Sequence, residues 1–345
     1  MTTPTYLRFS ELNRTKKESE DIFKARIDDA IDIYNRYKSG FFNRDCPVCG
    51  SSDYTNLEKF YDSYDIARCN TCNSSYVNPC PPEKALEDYY NNAKCNNLVG
   101  SLLISRVGAQ KAGQVSEKVL AAVSIVEEAL AKFESISVLE VACNSGVFLS
   151  DLKNTLSDRG LLQRVTLHGI DIDKNAINNS VDDELSLEAC SASEFLEKNN
   201  QRFEVVLHFE LIEHLSNPSE FMDEIYSLMV DGGLHYFHTP NGNGFENLAV
   251  GYNQKRPIAH SIYPPMHLQA FTVENILHFA LRHKFKLQNI ETPGGLDVDI
   301  VKQAAAYTDD VFAYVDHFSE AQLAIVQAWL VKLKASTHMR VKLIK

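Results

Sequence analysis

From Ser137 onward, short apolar runs alternate with amphipathic segments, and this alternation restricts the possible folds more than any other feature of the sequence. The apolar runs are ISVLEVA, VTLHGIDI, LSLEAC, FEVVLHF and GGLHYFHTPN, while SGVFLSDLKNTL and FMDEIYSLM have helical spacing between them. Alternating strands and helices are typical of a doubly wound parallel α/β sheet. The pattern also predicts a later helix, Val273 to His283, and a late strand in FKLQNIETPGG.

The remaining sequence divides the chain into five segments. They are an N-terminal helical segment (1–40), a cysteine-containing module (41–82), a helical connector or lid (83–134), the α/β domain (135–300), and a C-terminal helical extension with a basic tail (301–345). The last fifteen residues carry five Lys or Arg and no acid. We interpret them as a solvated tail, with contact to an anionic substrate as the alternative.

Four of the eight cysteines form two C-x2-C pairs with metal-ligand spacing. Cys46, Cys49, Cys69 and Cys72 give C-x2-C-x19-C-x2-C, which predicts a tetrahedral Zn site. Four thiolates leave no open coordination position, so the zinc is expected to be structural. A ribbon that reads nucleic acid is the alternative. The other four cysteines are predicted to be free thiols: Cys80, Cys95, Cys143 and Cys190.

Charge and hydropathy limit the binding partners and the cellular compartment that we expect for this protein. The formal net charge of −12 disfavours a general nucleic-acid binder, because phosphate backbones are held mainly by Lys and Arg. The polar N-terminus has no apolar export segment, and no stretch reaches the roughly 18 apolar residues of a membrane span. We therefore expect a cytoplasmic protein without a membrane partner.

The segment VLEVACNSGVFL predicts a strand ending near Glu140, a turn of small residues and a helix that opens after Gly146. Such a turn lets the backbone approach a ligand closely. Here the chain resembles the class I S-adenosylmethionine-dependent methyltransferases, whose motif is E-x-G-x-G-x-G. Ala142 and Asn144 stand at the first two glycine positions. The resemblance implies that this turn binds S-adenosylmethionine.

A second acid supports this cofactor. Asp171 ends the strand VTLHGIDI, where an acid can accept both ribose hydroxyls, although Asp171 or Asp173 could instead cap a helix. The resemblance implies that Ser191 and the backbone around Ala192 hold adenine. It also implies cofactor contacts for two further residues, Ile172 and Phe209.

The segments FEVVLHFELIEHLSNP, DGGLHYFHTPN and HLQAFTVENI follow each other as in the ubiquinone-biosynthesis O-methyltransferase-like branch of that family. The resemblance covers roughly Val138 to Thr292. Zinc-ribbon N-termini also occur in sugar methyltransferases with a similar catalytic domain. The expected fold is thus a mostly parallel, seven-stranded Rossmann-like sheet with a small zinc ribbon and added helices.

Two acids and a histidine follow the strand FEVVLHF. One turn of helix would aim Glu210, Glu213 and His214 the same way. The resemblance implies that E-x-x-E-H and a later His hold a divalent cation such as Mg or Mn. We take the later residue to be His267, with His238 and His260 as rivals. Without a metal, the glutamates cap a helix and His214 or His267 is the expected general base.

We therefore expect an O-methyltransferase that acts on a vicinal diol of a small-molecule or carbohydrate acceptor. A cation chelated by two adjacent hydroxyls would lower the pKa of one of them. One alternative is C-methylation of a nucleotide-linked sugar. Another, from a different class, is a zinc-ribbon binding module whose methyltransferase domain is degenerate.

Overall fold

The computed structural model describes residues 16–96, 98, 115–250, 261–305 and 317–345. The N-terminal part begins with a long helix, continues into a small antiparallel sheet and returns to a helix. In order, these elements are α1 (Lys16–Tyr37), β1 (Tyr54–Phe60), β2 (Tyr64–Cys69), β3 (Ser75–Val77) and α2 (Glu83–Asn92). The helices α1 and α2 lie in the segments 1–40 and 83–134, which were predicted to be helical.

A seven-stranded sheet forms the centre of the molecule. Its strands are β4 (Ile136–Val141), β5 (Val165–Asp171), β6 (Ser186–Ala189), β7 (Phe203–Phe209), β8 (Met229–Pro240), β10 (Lys286–Glu291) and β11 (His338–Ile344), with β9 (Gln269–Ala270) belonging to the small sheet. The strand order is β10-β11-β8-β7-β4-β5-β6, and only β11 runs antiparallel to its two neighbours. The predicted mostly parallel, seven-stranded Rossmann-like sheet is confirmed.

Helices cover both faces of this sheet. They are α3 (Glu117–Leu130), α4 (Val147–Asp158), α5 (Lys174–Asn178), α6 (Ala192–Lys198), α7 (Pro218–Leu228), α8 (Phe245–Val250), α9 (Val273–Arg282), α10 (Asp297–Ala305) and α11 (Glu320–Lys332). Local sequence sets several of the starts: Ser116 accepts the N–H of Val119 at α3, and Asn217 precedes Pro218 in the first turn of α7. Within the described residues, no helix combines the length and the apolar character that crossing a membrane requires.

Two separate hydrophobic clusters result from the alternation of side chains along the strands. On one face, Val138 and Leu207 pack with α3 and α4. On the other face, Leu139 and Val206 pack with α6, α7 and α9. Each central strand is thus buried on both sides, which explains its nearly continuous apolar sequence.

The small sheet is continuous with the rest of the molecule. Its order is β1-β2-β3-β9, so its last strand, Gln269–Ala270, comes from a segment far along the chain, and Ser75 lies opposite Ala270. Cys46, Cys69 and Tyr76 belong to the same hydrophobic cluster as α7 and α9. The cysteine-containing module therefore packs against the central sheet's helical layer.

The interpretation of the last fifteen residues as a solvated tail is wrong. Residues His338–Ile344 form β11, which lies between β10 and β8. Met339, Val341 and Leu343 point into the core, while Arg340 and Lys342 lie on the other face and pair with acids of α3. The basic side chains occupy one face of a strand, and that strand is required to complete the sheet.

Candidate functional site

The turn between β4 and α4 adopts the backbone conformation that glycine normally supplies. Ala142, Asn144 and Gly146 have φ of 61°, 53° and 80°, so all three glycine positions of the family motif are left-handed here. Asn visits this region readily, whereas Ala does so at a cost of about 1 kcal/mol. Asn144 also fixes the turn, because its Oδ1 accepts the N–H of Ser145 at 2.8 Å. The non-glycine residues therefore preserve the turn's shape.

Two acids lie beneath this turn. Glu140 is 3% exposed, and its Oε2 has no hydrogen-bond partner among the described residues. Burial raises the pKa of Glu140 to about 8, although the charge of Lys118 opposes the shift. Asp171 ends β5, and its carboxylate accepts the N–H groups of Asn144 and Asp173, each at 2.8 Å. The predicted acids are thus at the carboxyl edge of adjacent strands.

The next strand contributes the residues predicted to hold adenine. Ser191 begins α6 with a capping box, in which its hydroxyl accepts the N–H of Glu194 and its own N–H donates to the Glu194 carboxylate. Because this hydroxyl is already engaged as a cap, a contact to adenine would come from the backbone here. Ile172, which follows β5, is 78% exposed. An apolar side chain so exposed is available to cover a flat ligand.

Lys118 lies at the candidate site, and the sequence analysis did not predict it there. Its Nζ lies 3.6 Å from the ring centroid of Phe209 and 4.5 Å from that of Phe148, which places a cation beside the predicted cofactor residues. Burial lowers the pKa of Lys118, against the attraction of Glu140 and Glu210. One feature of the sequence could have indicated it. Lys118 lies in the first turn of α3, where the helix dipole disfavours a cation, so a lysine there suggests a role other than helix stability.

Glu213, His214 and His267 come together after β7. One ligating atom from each lies within 4.8 Å of the other two, and the rings of His214 and His267 are perpendicular at 4.7 Å. The backbone explains the grouping: Leu268 donates its N–H to the carbonyl of Glu213 at 2.8 Å, which brings the two segments alongside each other. Residues 53 positions apart in sequence thereby share one site.

Glu213 is fully buried. Its Oε2 accepts the hydroxyl of Thr239 at 3.0 Å, and its Oε1 has no hydrogen-bond partner among the described residues. Burial, reinforced by the charge of Glu210, raises the pKa of Glu213 well above its ordinary value. An ionised carboxylate in this position needs a positive partner.

The tautomer of His214 follows from its neighbours. Its Nδ1 lies 3.0 Å from the carbonyl oxygen of Met266, which can only accept, so Nδ1 carries the proton. The lone pair is therefore on Nε2, which lies 3.8 Å from Oε1 of Glu213. Burial lowers the pKa of His214 to about 4, so this imidazole is neutral at pH 7. A neutral ring with a free Nε2 can bind a metal or accept a proton.

Tyr90 also contacts this histidine, and no sequence pattern indicated it. Its hydroxyl lies 2.9 Å from Nδ1 of His214 and 3.4 Å from the carbonyl of Met266. Tyr90 is on α2, 124 residues before His214. The helix that we predicted as connector or lid material thus contributes a polar group to the site.

Glu210 departs from the predicted geometry. Residues 210–214 form a turn, and Glu210 has φ of 49°, so the expected turn of helix is wrong. Its carboxylate lies 3.4 Å from Nε2 of His338, outside the group formed by the other three residues. Burial acts to raise the pKa of Glu210, but His338 outweighs it and brings this pKa to about 2. Neither glutamate caps α7, whose cap is Asn217.

The rivals of His267 occupy other places. His238 lies beside Phe209, with ring centroids 4.9 Å apart, and its Nε2 contacts the hydroxyl of Tyr236 at 3.0 Å. His260 lies outside the described residues. Of the two candidates that the structure describes, His267 is the one that lies with Glu213 and His214.

The four ribbon cysteines meet as their spacing predicted. The sulfurs of Cys46, Cys49, Cys69 and Cys72 all lie within 4.8 Å of one another, with 3.6 Å between Cys46 and Cys72 and 3.5 Å between Cys49 and Cys69. Zn–S bonds of about 2.3 Å in a tetrahedron place sulfurs roughly 3.8 Å apart. The four thiols therefore fit a zinc ion. No cysteine of the chain forms a disulfide.

Comparisons with known proteins agree with the fold. The family model described as a methyltransferase domain matches residues 114–287. The ubiquinone biosynthesis O-methyltransferase of Coxiella burnetii is 29% identical over 111 residues, which are 31% of this chain and 44% of that protein. The mitochondrial enzyme of the same name from Arabidopsis thaliana is 28% identical over 116 residues, covering 32% of this chain and 34% of that protein. The chain thus matches less than half the length of these relatives.

Solved structures give more distant similarities. The plantazolicin methyltransferase BpumL in complex with SAH is 15% identical, has a TM-score of 0.46, and is matched over 76% of this chain and 95% of that one. The cyclopropane synthase MmaA2 from Mycobacterium tuberculosis is 15% identical with a TM-score of 0.40, over 68% of this chain and 87% of that one.

Proposed function

The chain belongs to the methyltransferase-domain family and is an S-adenosylmethionine-dependent methyltransferase, and we propose that it methylates a hydroxyl of a vicinal-diol acceptor with the help of a divalent cation. The observation that carries this proposal is the grouping of Glu213, His214 and His267. It lies beyond the carboxyl end of β7, where open α/β sheets bind ligands. The acceptor would be a sugar-like or catechol-like small molecule.

The three residues fit a cation by their chemistry. One carboxylate and two imidazoles suit Mg, Mn, Fe or Zn and leave coordination positions for an acceptor. The buried Oε1 of Glu213 lacks a hydrogen-bond partner among the described residues, as a ligand oxygen does before its metal binds. A bound cation supplies Lewis acidity, which lowers the pKa of a coordinated hydroxyl. His214 is held in the required tautomer by the carbonyl of Met266.

For the methyl donor, we assign the turn at Ala142, Asn144 and Gly146 and the two acids beneath it. Asp171 would accept the ribose hydroxyls, as acids do at this position of dinucleotide-binding sheets. Adenine would lie between Ile172 and the start of α6, at Ser191 and Ala192. Phe209 and Lys118 would border the methionyl part of the donor, since Lys118 lies over the ring of Phe209 and is attracted by Glu140.

We further assign a structural zinc ion to the four ribbon cysteines. Their sulfur separations fit a tetrahedral site, and Ser74 donates to or accepts from the sulfurs of Cys46 and Cys72 at 3.0 and 3.1 Å. Four sulfur ligands leave no position for a substrate. The role of this ion would be to hold the two C-x2-C turns, at Cys46–Cys49 and Cys69–Cys72, against each other.

Chelation tests the cation at the second site. The zinc-loaded enzyme is dialysed against EDTA and assayed for S-adenosylhomocysteine formation with catechol and sugar-diol probes, without and with added Mg or Mn. We expect turnover to fall at least about a hundredfold and to return with the metal, because a metal-activated hydroxyl is lost. Undiminished turnover in the chelated enzyme would overturn the metal assignment.

A matched pair of histidine variants locates the cation. His267→Ala should weaken Mn binding at least about tenfold, since ligand-shell changes commonly have effects of ten- to a hundredfold. His278→Ala removes an exposed histidine on α9 and should leave Mn binding unchanged. Equal Mn affinity in the two variants would exclude His267 as a ligand.

A metal-independent reaction is the second candidate, and the contacts of His214 favour it. A neutral imidazole, fixed through Nδ1 by Met266 and Tyr90, can act as a general base at Nε2 without a cation. This chemistry suits proton removal α to a carbonyl and C-methylation of a nucleotide-linked ketosugar. Product NMR distinguishes the O–CH3 group from the C–CH3 group. The third candidate, a zinc-ribbon binding module with a degenerate methyltransferase domain, predicts no binding of S-adenosylhomocysteine, and tight binding measured by isothermal titration would exclude it.

A further inference from the structure

Arg44 is a guanidinium that no carboxylate pairs with among the described residues. It lies two residues before Cys46 and is partly buried. Its Nη1 donates to the carbonyl of Ser216 at 2.8 Å, and its Nη2 donates to the carbonyl of Leu268 at 3.0 Å. Its Nε points to the carbonyl of Val77 at 3.4 Å. One side chain therefore joins backbone from three distant segments.

Two of these segments carry the proposed site. Ser216 lies two residues after His214, and Leu268 directly follows His267. Val77 lies in β3 of the ribbon sheet. Arg44 thus contacts the backbone beside each half of the Glu213–His214–His267 group, while its own backbone N–H donates to Asn78 of the ribbon at 3.0 Å.

Further hydrogen bonds converge on the same crossing point. Leu268 donates its N–H to Glu213, and its carbonyl accepts from both Val77 and Arg44. The side chain of Gln269 donates to the carbonyls of Ile212 and Leu215 at 2.7 and 2.9 Å, and its Oε1 accepts from Arg44 at 3.2 Å. The two site segments and the ribbon are therefore connected through Arg44 and Gln269.

The ribbon end of this connection is fixed by the turn from Cys46 to Cys49, which we call the cysteine knuckle. Pro47, the residue after Cys46, accepts the hydroxyl of Ser219 from α7 at 3.2 Å. Arg282 of α9 reaches the carbonyl of Val48 at 3.4 Å. The knuckle that follows Arg44 is therefore held against the catalytic domain on two further sides.

We propose that Arg44 is a positioning residue through which the ribbon sets the geometry of the Glu213–His214–His267 group. The guanidinium suits this role because its planar fork of five donors can hold several carbonyls at once, whereas an ammonium is a compact point charge. The proposal rests on the function proposed above for that group. It explains why β9, which begins two residues after His267, completes the small sheet of the ribbon.

Arg44→Lys and Arg44→Gln test the proposal in the full-length, zinc-loaded protein. We expect Mn affinity at the second site to fall about tenfold or more, and kcat with the catechol probe to fall similarly. The affinity for S-adenosylhomocysteine should stay within about twofold, because the side-chain hydrogen bonds of Arg44 go to Val77, Ser216, Leu268 and Gln269 and not to the cofactor turn. A purely structural role would lower all three together.

Arg282→Lys is the matched control. Arg282 also crosses from the catalytic domain to the ribbon. Its hydrogen bond goes to the carbonyl of Val48 and not to residues 211–217 or 267–269. Its Mn affinity and kcat should match those of the unaltered protein. Effects equal to those of Arg44→Lys would overturn the proposal.

A second variant covers the case in which Arg44 substitutions fail to fold. Gln269→Met removes the second side chain that connects the ribbon with the two site segments. As in the Arg44 variants, kcat should fall while the affinity for S-adenosylhomocysteine is retained. Unchanged kcat in both Arg44→Lys and Gln269→Met would refute the positioning role. If the unaltered protein binds no Mn and ignores EDTA, the metal function fails, and the separation of kcat from cofactor affinity still decides the role of Arg44.

Discussion

At the scale of single residues, Lys118 gives the sharpest expectation. S-adenosylmethionine has one anionic group, the methionyl carboxylate, and it is the group of the donor that Lys118, which lies over the ring of Phe209, would attract. We expect Lys118→Met to weaken S-adenosylhomocysteine binding about ten- to a hundredfold, the value of one hydrogen bond to a charged group. Isothermal titration measures this directly.

The control for Lys118 uses the ligand as well as the protein. Lys118→Arg keeps the charge and should retain most of the affinity. Methylthioadenosine lacks the carboxylate, so the unaltered protein and Lys118→Met should bind it equally. A loss of methylthioadenosine affinity as large as that of S-adenosylhomocysteine would show that Lys118 does not recognise the carboxylate.

Residue-scale prediction from the sequence succeeded where the signal was local. The positions of Ala142 and Asn144 indicated a tight turn, and the structure places both at positive φ. Glu210 failed because E-x-x-E-H was interpreted as helical, whereas the backbone turns left-handed at Glu210 and directs it to His338. The role of Tyr90 could not be predicted from the sequence, because its contact with His214 depends on how α2 packs.

At the scale of elements, β7 and β8 bury two histidines side by side. His208 and His235 are fully buried with ring centroids 5.1 Å apart, and their ring nitrogens have no hydrogen-bond partner among the described residues. Burial lowers the pKa of His235 to about 3 and holds that of His208 well below its ordinary value. Both rings are therefore neutral in the folded state.

These pKa values make stability depend on pH. The unfolded chain binds a proton at each histidine near pH 6.5, and the folded chain does not, so stability is lost as the pH falls below about 6.5. Between pH 7 and pH 5 the buried, neutral His235 should cost roughly 2 kcal/mol of stability. In His235→Phe, the difference in unfolding free energy between the two pH values should shrink by about that amount, as measured by urea denaturation.

The exposed His278 provides the comparison for this experiment. His278→Gln should keep the pH dependence of the unaltered protein, because its side chain is not buried. If His235→Phe also kept that dependence in full, His235 would not be the neutral core residue that its burial indicates.

The strand β11 shows why an element can be missed even when its pattern is present. Met339, Val341 and Leu343 alternate with His338, Arg340 and Lys342, which is the period of a half-buried strand. The five basic residues of this segment favoured a solvated tail over the strand that this alternation indicates. The central strands were predicted correctly because burial on both faces makes them continuously apolar. The position of β11 between β8 and β10 depends on long-range pairing, which composition does not encode.

At the scale of the whole molecule, the cysteine knuckle and the sheet share one hydrophobic cluster. Cys46, Cys69 and Tyr76 lie in the same cluster as Phe271 and Phe279, and β9 completes the small sheet. A second hydrophobic cluster, which contains Ile66 and Val77 of the ribbon, also includes Leu268 and Ala270 from the segment after His267. The C-x2-C spacing predicted the ligands, but the packing of the knuckle against α7 and α9 could not be predicted from it.

This shared core predicts that the ribbon and the central sheet unfold together. Differential scanning calorimetry should give one transition, although a chain of 345 residues commonly unfolds in several steps. Cys69→Ser should lower the free energy of unfolding of the whole molecule by about 4 kcal/mol or more, as expected when a structural metal is lost. Cys190→Ala removes a buried thiol outside the group and should cost only about 1 kcal/mol. If Cys69→Ser instead produced an early, separate transition and left the main one in place, the ribbon would be an independent unit, and zinc could not support the catalytic domain through a common core.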